Sequence, residues 1–330
     1  VGESKDHEGD EEVHLTTTDI DVLEIRKAAR RHRRQRQLSY IIYLVMGMLL
    51  FLLFWQVLAA PFSPLFSLIP TPIEAVTHFK EHLFFSEPMK DRFIHACPDL
   101  SEGLEFKRGR LSALPEHCFG YILHLLHTIR NILIAVALGT VIGLGVGLST
   151  LLLPWIADVV TPVAGFFGTT PIFIVAPFFV IWFGIEYPLL TTIGVVAFYT
   201  TLLMYFFTRR AAENMPVGFI ESALTLGGDR RTIFRWVYLR GTIPEIAGGF
   251  RIALGGAWGL GTLVEVLGPQ MGGGFLIRMW SYVMGHAGGP TAVVSLILFF
   301  GVLAAVVDGI LVVVIRSFTR WSESGHQLGL

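Results

Sequence analysis

The sequence predicts an all-α membrane protein with about six transmembrane helices and both termini in the cytoplasm. Composition is the first reason: 53% of the 330 residues are hydrophobic and only 15% are charged, where soluble domains carry about 25% charged residues. The mean hydropathy is +0.61. Run length is the second. Apolar stretches at roughly 40–60, 121–150, 158–183, 188–207, 244–267 and 290–315 match the ~20 residues that cross a bilayer. The third is the placement of positive charge. Behind a net charge of −1 lie a basic block at 26–36, a group of arginines (Arg209, Arg210, Arg230, Arg231, Arg235, Arg240) after the fourth run, and Arg316 and Arg320 after the last; the loop 268–289 holds only Arg278. Lysine and arginine stay on the cytoplasmic side, and an even number of spans returns the C-terminus to that side.

Residues 1–38 read as a charged cytoplasmic tail, acidic through Glu24 and basic from Arg26. Solvation is its default state; a regulatory or partner contact is the alternative. The basic block abuts the first span, 39–60, which exceeds the 7–15 apolar residues of a secretory signal and reads as a retained helix. Residues 61–120 follow as an extracytoplasmic insertion. It holds the only cysteines, Cys97 and Cys118, in a compartment that permits a disulfide; closing that loop adds about 3 kcal/mol in the chain-entropy picture. A metal pair with His95 and His117 is the alternative, although the spacing matches no standard zinc signature.

A core at 121–318 comes next. On the second span Ala135, Gly139, Gly143 and Gly147 recur at every fourth position, giving one small-residue face for close helix packing; a surface that slides during function is the sharper reading. His124 and His127 lie at its outer end, as interfacial residues or as solute or proton ligands. Pro171 and Pro177 interrupt the third span, and proline kinks a spanning helix. Glycines crowd the fifth span, which also carries Arg251, read as an interfacial anchor, and Glu265. Glu265 and Asp308 are carboxylates inside apolar runs, costly there and functional candidates by default; a structural hydrogen bond or ion pair is the competing reading. Residues 319–330 form a short cytoplasmic tail.

The segment 208–243 departs from this pattern. Asn214, Pro216 and Glu221 lie near the start of a short helix that Gly227-Gly228 stops. Asp229 then caps a second helix over 230–239, its carboxylate reaching the amide near Thr232, and Pro244 opens the next span. The expectation is two short helices joined at a glycine corner on the cytoplasmic face; an interfacial helix resting on lipid is the alternative.

Glu221-x-Ala223-x-x-x-Gly227, Val237-x-Leu239 and Pro244-x-Ile246 together resemble the EAA loop of binding-protein-dependent ABC-importer permeases. The similarity extends through Gly249-Phe250-Arg251-Ile252-Ala253-Leu254-Gly255, Ala257-Trp258, Glu265, 272–277 and, upstream, 177–185. It covers roughly 120–318 and is similar to the nitrate/sulfonate/taurine/bicarbonate branch. Three departures stand out: Ser222 inside the triplet, Arg240 where the family usually has proline, and a longer insertion after the first span. The resemblance implies a type I importer permease fold in the bacterial cytoplasmic (inner) membrane. It implies ATPase-coupling residues Glu221, Ser222, Ala223, Leu226, Gly227 and Gly228, and it covers Glu265 and Trp258; together with the hydroxyls of Thr169 and Thr170, which could ligate an anionic solute, these are the translocation-path candidates. Its implied partners are ATPase subunits, an external solute-binding protein, membrane lipid and a second copy of the chain, with no nucleic acid. ATP and Mg would act on the ATPase, with no cofactor or metal on this chain; in agreement, no lysine precedes Ser or Thr, as a phosphate-binding loop requires. A membrane-embedded enzyme would call for convergent motifs such as His-Glu-x-x-His, and a secondary transporter for an internal repeat; neither pattern is visible.

Overall fold

An apolar segment without water around it must satisfy its own backbone hydrogen bonds, which helices do, and every regular element among the described residues is a helix. The computed structural model describes residues 42–59, 69–83, 120–183, 187–268, 271–282 and 289–318, together with Gln35 and Ser39. The rest of the N-terminal tail, the C-terminal tail, Cys97, Cys118, His95 and His117 lie outside the described residues. The chain divides into two units, 1–72 and 73–330. The first holds α1 (Ile42–Leu58), an apolar helix a little under the ~20 residues that span hydrocarbon. Near its end, the Trp55 indole donates to the carbonyl of Pro70 at 3.0 Å.

In the second unit α2 (Pro72–Glu81), α3 (Tyr121–Leu152), α4 (Pro154–Thr169), α5 (Ile172–Phe183), α6 (Pro188–Glu213) and α7 (Val217–Thr225) follow in order. Then come α8 (Arg230–Ile233), a π-helical turn at Phe234–Tyr238, α9 (Leu239–Gly241), α10 (Ile243–Leu267), α11 (Gly273–Tyr282) and α12 (Gly289–Phe318). Four described helices are long and apolar enough to cross a membrane: α3, α6, α10 and α12. A fifth span exists if α4 and α5 count together, but these meet at 103°, so the expected third span over 158–183 is not one rod. The residue before a proline is pushed out of the helical region: Thr170 has φ −77° and ψ 130° ahead of Pro171. The hydroxyls of Thr169 and Thr170 both donate to the Phe166 carbonyl, at 3.0 and 2.9 Å, occupying an acceptor that the broken ladder exposes. Within the expected insertion 61–120, α2 buries Ala75 and Phe79, one turn apart. That amphipathic helix is hidden in the sequence by its polar surroundings.

The small-residue face of α3 packs directly on α6. A Cβ at Gly139 would lie 2.5 Å from the Ala197 carbonyl oxygen, at Gly143 2.6 Å from that of Thr201, and at Gly147 2.7 Å from Thr208 Cβ. Both numberings rise together, so α3 and α6 run parallel, with the bent α4–α5 pair returning between them. α10 runs antiparallel to α6, its Gly249 against Phe207 and its Gly261 beside Val196 and Ile132. The core between them is Ile132, Val136, Val195, Val196, Leu254, Ala257, Trp258 and Val264. The outward surfaces of these helices remain apolar, as Val141, Val159, Ile181 and Val313 show, and suit lipid contact.

Candidate functional site

The segment between α6 and α10 stands at the end of the bundle where α6 finishes and α10 begins. Pro216 fixes the entry to α7, and Gly227 ends it with φ +80°. The Gly227 amide donates to Leu224 O and the Gly228 amide to Ala223 O, each at 2.9 Å, the paired bonds of a Schellman stop. The glycine corner is therefore in place, with Asp229 beyond it accepting from the Thr232 amide at 2.9 Å. Hydrogen bonding from Thr232, first to its side chain and then to its backbone amide, holds the Asp229 carboxyl below the usual carboxylate range. No residue of α7 is buried. Glu221, Ser222, Leu226 and Gly227 are exposed, Ala223 and Gly228 partly so, and Leu226 is 88% exposed.

The expected second helix over 230–239 is a composite. After one α turn the backbone widens: the Leu239 amide reaches back five residues to Phe234 O, a π-bulge of the kind found at functional positions. Arg240, which stands where the resemblance expects proline, lies over the Trp236 ring with its guanidinium carbon 4.1 Å from the centroid. Pro244 opens α10 and is buried. Met215, Phe219, Trp236, Val237, Arg240, Gly241 and Ile243 line an open, largely apolar groove of about 740 Å³.

Close by, ion pairs link the long helices. Arg210 approaches Glu245 at 3.8 Å, and the Asn214 amide donates to the same carboxylate at 3.0 Å. Arg209 donates to Glu213 at 3.0 Å and to the hydroxyl of Thr161. Arg251 is not a lone interfacial anchor: its Nε and Nη2 each donate to Asp308 at 2.7 Å, a bidentate pair between α10 and α12. Composition could flag both residues, but not the pairing of positions so far apart in sequence.

The four translocation-path candidates do not meet. Thr169 and Thr170 sit at the α4–α5 break, bonded to their own helix, while Trp258 belongs to the apolar core. Glu265 is fully buried. Its Oε2 accepts from Thr128 Oγ1 at 2.7 Å and from the Gly274 amide at 3.1 Å; Gly273 N–H donates to Thr128 Oγ1 at 2.9 Å and Gly272 N–H to His124 Nδ1 at 3.0 Å. The carboxylate thus lies at the N-terminus of α11, where helix amides need acceptors. Gly272, with φ +121°, has no room for a Cβ, which would fall 2.7 Å from Glu265 Oε1. His124 is part of this knot. His127 is apart from it, against Arg130.

At the same end α2 rests on α3 and α11. His78 and His82 stack at 4.1 Å, His78 Nδ1 lies 3.3 Å from the Tyr121 hydroxyl, and Trp280 meets both rings edge-on. Burial, and then the neighbouring His82, push the His78 pKa down to about 4. Among the described residues no cluster of three or more His, Cys, Asp or Glu could hold a metal.

Residues 135–320 match the family model described as "Binding-protein-dependent transport system inner membrane component". The chain is 26% identical to the taurine transport system permease protein of Escherichia coli (strain K12) over 47% of this chain and 56% of that protein. It is 28% identical to a probable ABC transporter permease protein of Brucella abortus (strain 2308), over 59% of this chain and 76% of that one. With the putative aliphatic sulfonates transport permease protein of E. coli (strain K12) the identity is 27%, over 46% of this chain and 55% of the relative. The match thus spans about half the length of the two E. coli permeases.

Proposed function

Because the chain belongs to the family of binding-protein-dependent transport system inner membrane components, we propose that it is the permease subunit of an ATP-driven importer, and that α7 and the glycine corner behind it take up the stroke of a separate ATPase. The observation that carries this reading is α7 itself. It is a nine-residue helix with no buried residue, closed by a Schellman turn, standing at the bundle end inside the matched region. A helix that buries nothing within its own chain gains little from folding unless a partner covers it. Here Phe219, Leu224 and Leu226 offer apolar surface, and Glu221 an acceptor for hydrogen bonds or basic side chains.

The permease would work as two copies with two ATPase subunits, which bind ATP and Mg; an external binding protein would deliver the solute. Relatives named for taurine and aliphatic sulfonates favour a small anionic or zwitterionic solute, with taurine and alkanesulfonates the first probes. Both termini would then lie in the cytoplasm.

Reconstitution tests the proposal. Solute uptake into liposomes should require the ATPase, ATP and the binding protein; uptake by this chain alone, without ATP, overturns it. Glu221→Ala and Gly227→Asp should lower solute moved per ATP hydrolysed several-fold while the bundle stays folded. Unchanged coupling in both variants removes the role given to α7.

A further inference from the structure

Arg251 and Asp308 pose a physical problem. Arg251 lies two turns into α10, about 12 Å along its axis, and Asp308 about 15 Å from the end of α12, at ~1.5 Å per residue. With a hydrocarbon layer of about 30 Å centred on each helix, both positions fall inside it. Yet 39% and 38% of the two side chains are exposed, beside an opening of about 600 Å³ that Phe207, Arg210, Glu245 and Ile252 also line. Charged groups at membrane depth face the bundle interior or a water-filled cavity and are not left in lipid. The opening runs from the Arg210–Glu245 pair at the bundle end to the Arg251–Asp308 pair, so charges border it at both levels. Further along α10, a Cβ added at Gly255 or Gly259 would meet nothing within 4 Å, and the face stays clear.

We propose that the Arg251–Asp308 pair lines the water-filled, inward part of the solute path, with Asp308 acting as the internal counter-anion that keeps Arg251 from trapping a passing anion. Paired in a bidentate fork with Asp308, the Arg251 charge is largely balanced. A solute anion can then be drawn past without binding so tightly that it fails to leave, a general demand on conducting sites. The idea rests on the permease reading, but its first test measures water access and not transport, so the two can fail separately.

Ile252 lines the opening and is 56% exposed, whereas Val141 on α3 is 70% exposed with no charged residue within a turn on either side. Ile252→Cys and Val141→Cys are made in the otherwise native chain, and label above the parent is counted by intact mass in inside-out vesicles. A membrane-impermeant methanethiosulfonate should modify Ile252→Cys several-fold faster than Val141→Cys. Adding Asp308→Asn should raise the ratio of sulfonate-bearing to trimethylammonium-bearing reagent rates at Ile252→Cys several-fold; Asp308→Glu should leave it near the parent value. If Ile252→Cys reacts only with membrane-permeant maleimide, or with no reagent, the face meets lipid or protein and the proposal is wrong. An unchanged rate ratio in Asp308→Asn overturns the counter-anion role.

Discussion

At Gly227 the backbone adopts φ +80°, a left-handed conformation that costs an ordinary residue about 1–2 kcal/mol. Nothing lies within 4 Å of its Cβ position, whereas a Cβ on Gly228 would fall 2.7 Å from the Ala223 carbonyl oxygen. Gly227→Ala should therefore loosen the turn through backbone strain alone, and Gly227→Asn should loosen it less, since Asn tolerates this region better. Gly228→Ala should disturb it through a clash. Hydrogen exchange over 222–228 reads the difference; equal exchange in all three variants would refute the assignment. Asp229, two residues on, makes a pH-dependent contribution. Its carboxyl titrates below the usual carboxylate range because the charged form accepts from Thr232. The cap is thus fully present above the ordinary aspartate pKa and is lost as pH falls through the lowered folded value. Exchange at the α8 amides should rise with acid over that window in the parent, and Asp229→Ala should abolish the dependence.

At the scale of whole helices, packing outweighs these local effects. Gly139 and Gly143 meet α6 backbone, while Gly145, on the same helix, has nothing within 4 Å. Gly139→Ala should separate α3 from α6 and cost about 1–3 kcal/mol, as overpacking does; Gly145→Ala should be neutral or slightly stabilising through helix propensity. Thermal unfolding in detergent checks this, and equal loss in both would mean the seam is not the contact that matters. This seam was legible, because a four-residue repeat of small side chains has one geometric meaning on a helix. The bend between α4 and α5 was half legible: Pro171 marks a break, but no local rule sets 103°. The π turn at Phe234–Tyr238 was not, since nothing in those side chains distinguishes a bond to the fourth residue back from one to the fifth. Docking of α2 was missed for its brevity, and it brings a second pH effect. His78 is held neutral, its pKa pushed down to about 4 from an ordinary value near 6.5, with His82, Tyr121 and Trp280 around it. The undocked helix binds the proton more readily, so docking is fully stable above about 6.5 and weakens as pH falls toward about 4. Proteolysis or exchange at 72–83 should increase over that window in the parent, and His78→Phe should flatten the response.

For the molecule as a whole, the end proposed to take up the ATPase stroke lies in one continuous stretch of sequence and could be read from it, whereas the polar contacts that tie the bundle together join distant segments. Glu265 was visible as an out-of-place carboxylate, but Thr128, 137 positions earlier, could not be named as its partner. The structure makes Glu265 the knot between α3, α10 and the start of α11, opposite the end that α7 occupies. The proposed import cycle would need such a fixed point, since force applied at one end moves the other only if the helices between keep their register. The knot's demand is for acceptance: Oε2 takes hydrogen bonds from Thr128 and the Gly274 amide, while Oε1 has no hydrogen-bond partner among the described residues. Glu265→Gln, with its amide oxygen in the Oε2 place, should therefore keep the fold and most of the transport. Glu265→Ala should strand the buried Gly274 amide at about 1–3 kcal/mol and leave the Thr128 hydroxyl only the His124 carbonyl to donate to, lowering the unfolding temperature and raising exchange at 272–276. If Glu265→Gln folds normally but loses transport, the carboxylate serves the solute or a proton in addition to the turn. If Glu265→Ala unfolds no more readily than the parent, the knot does not hold the helices in register.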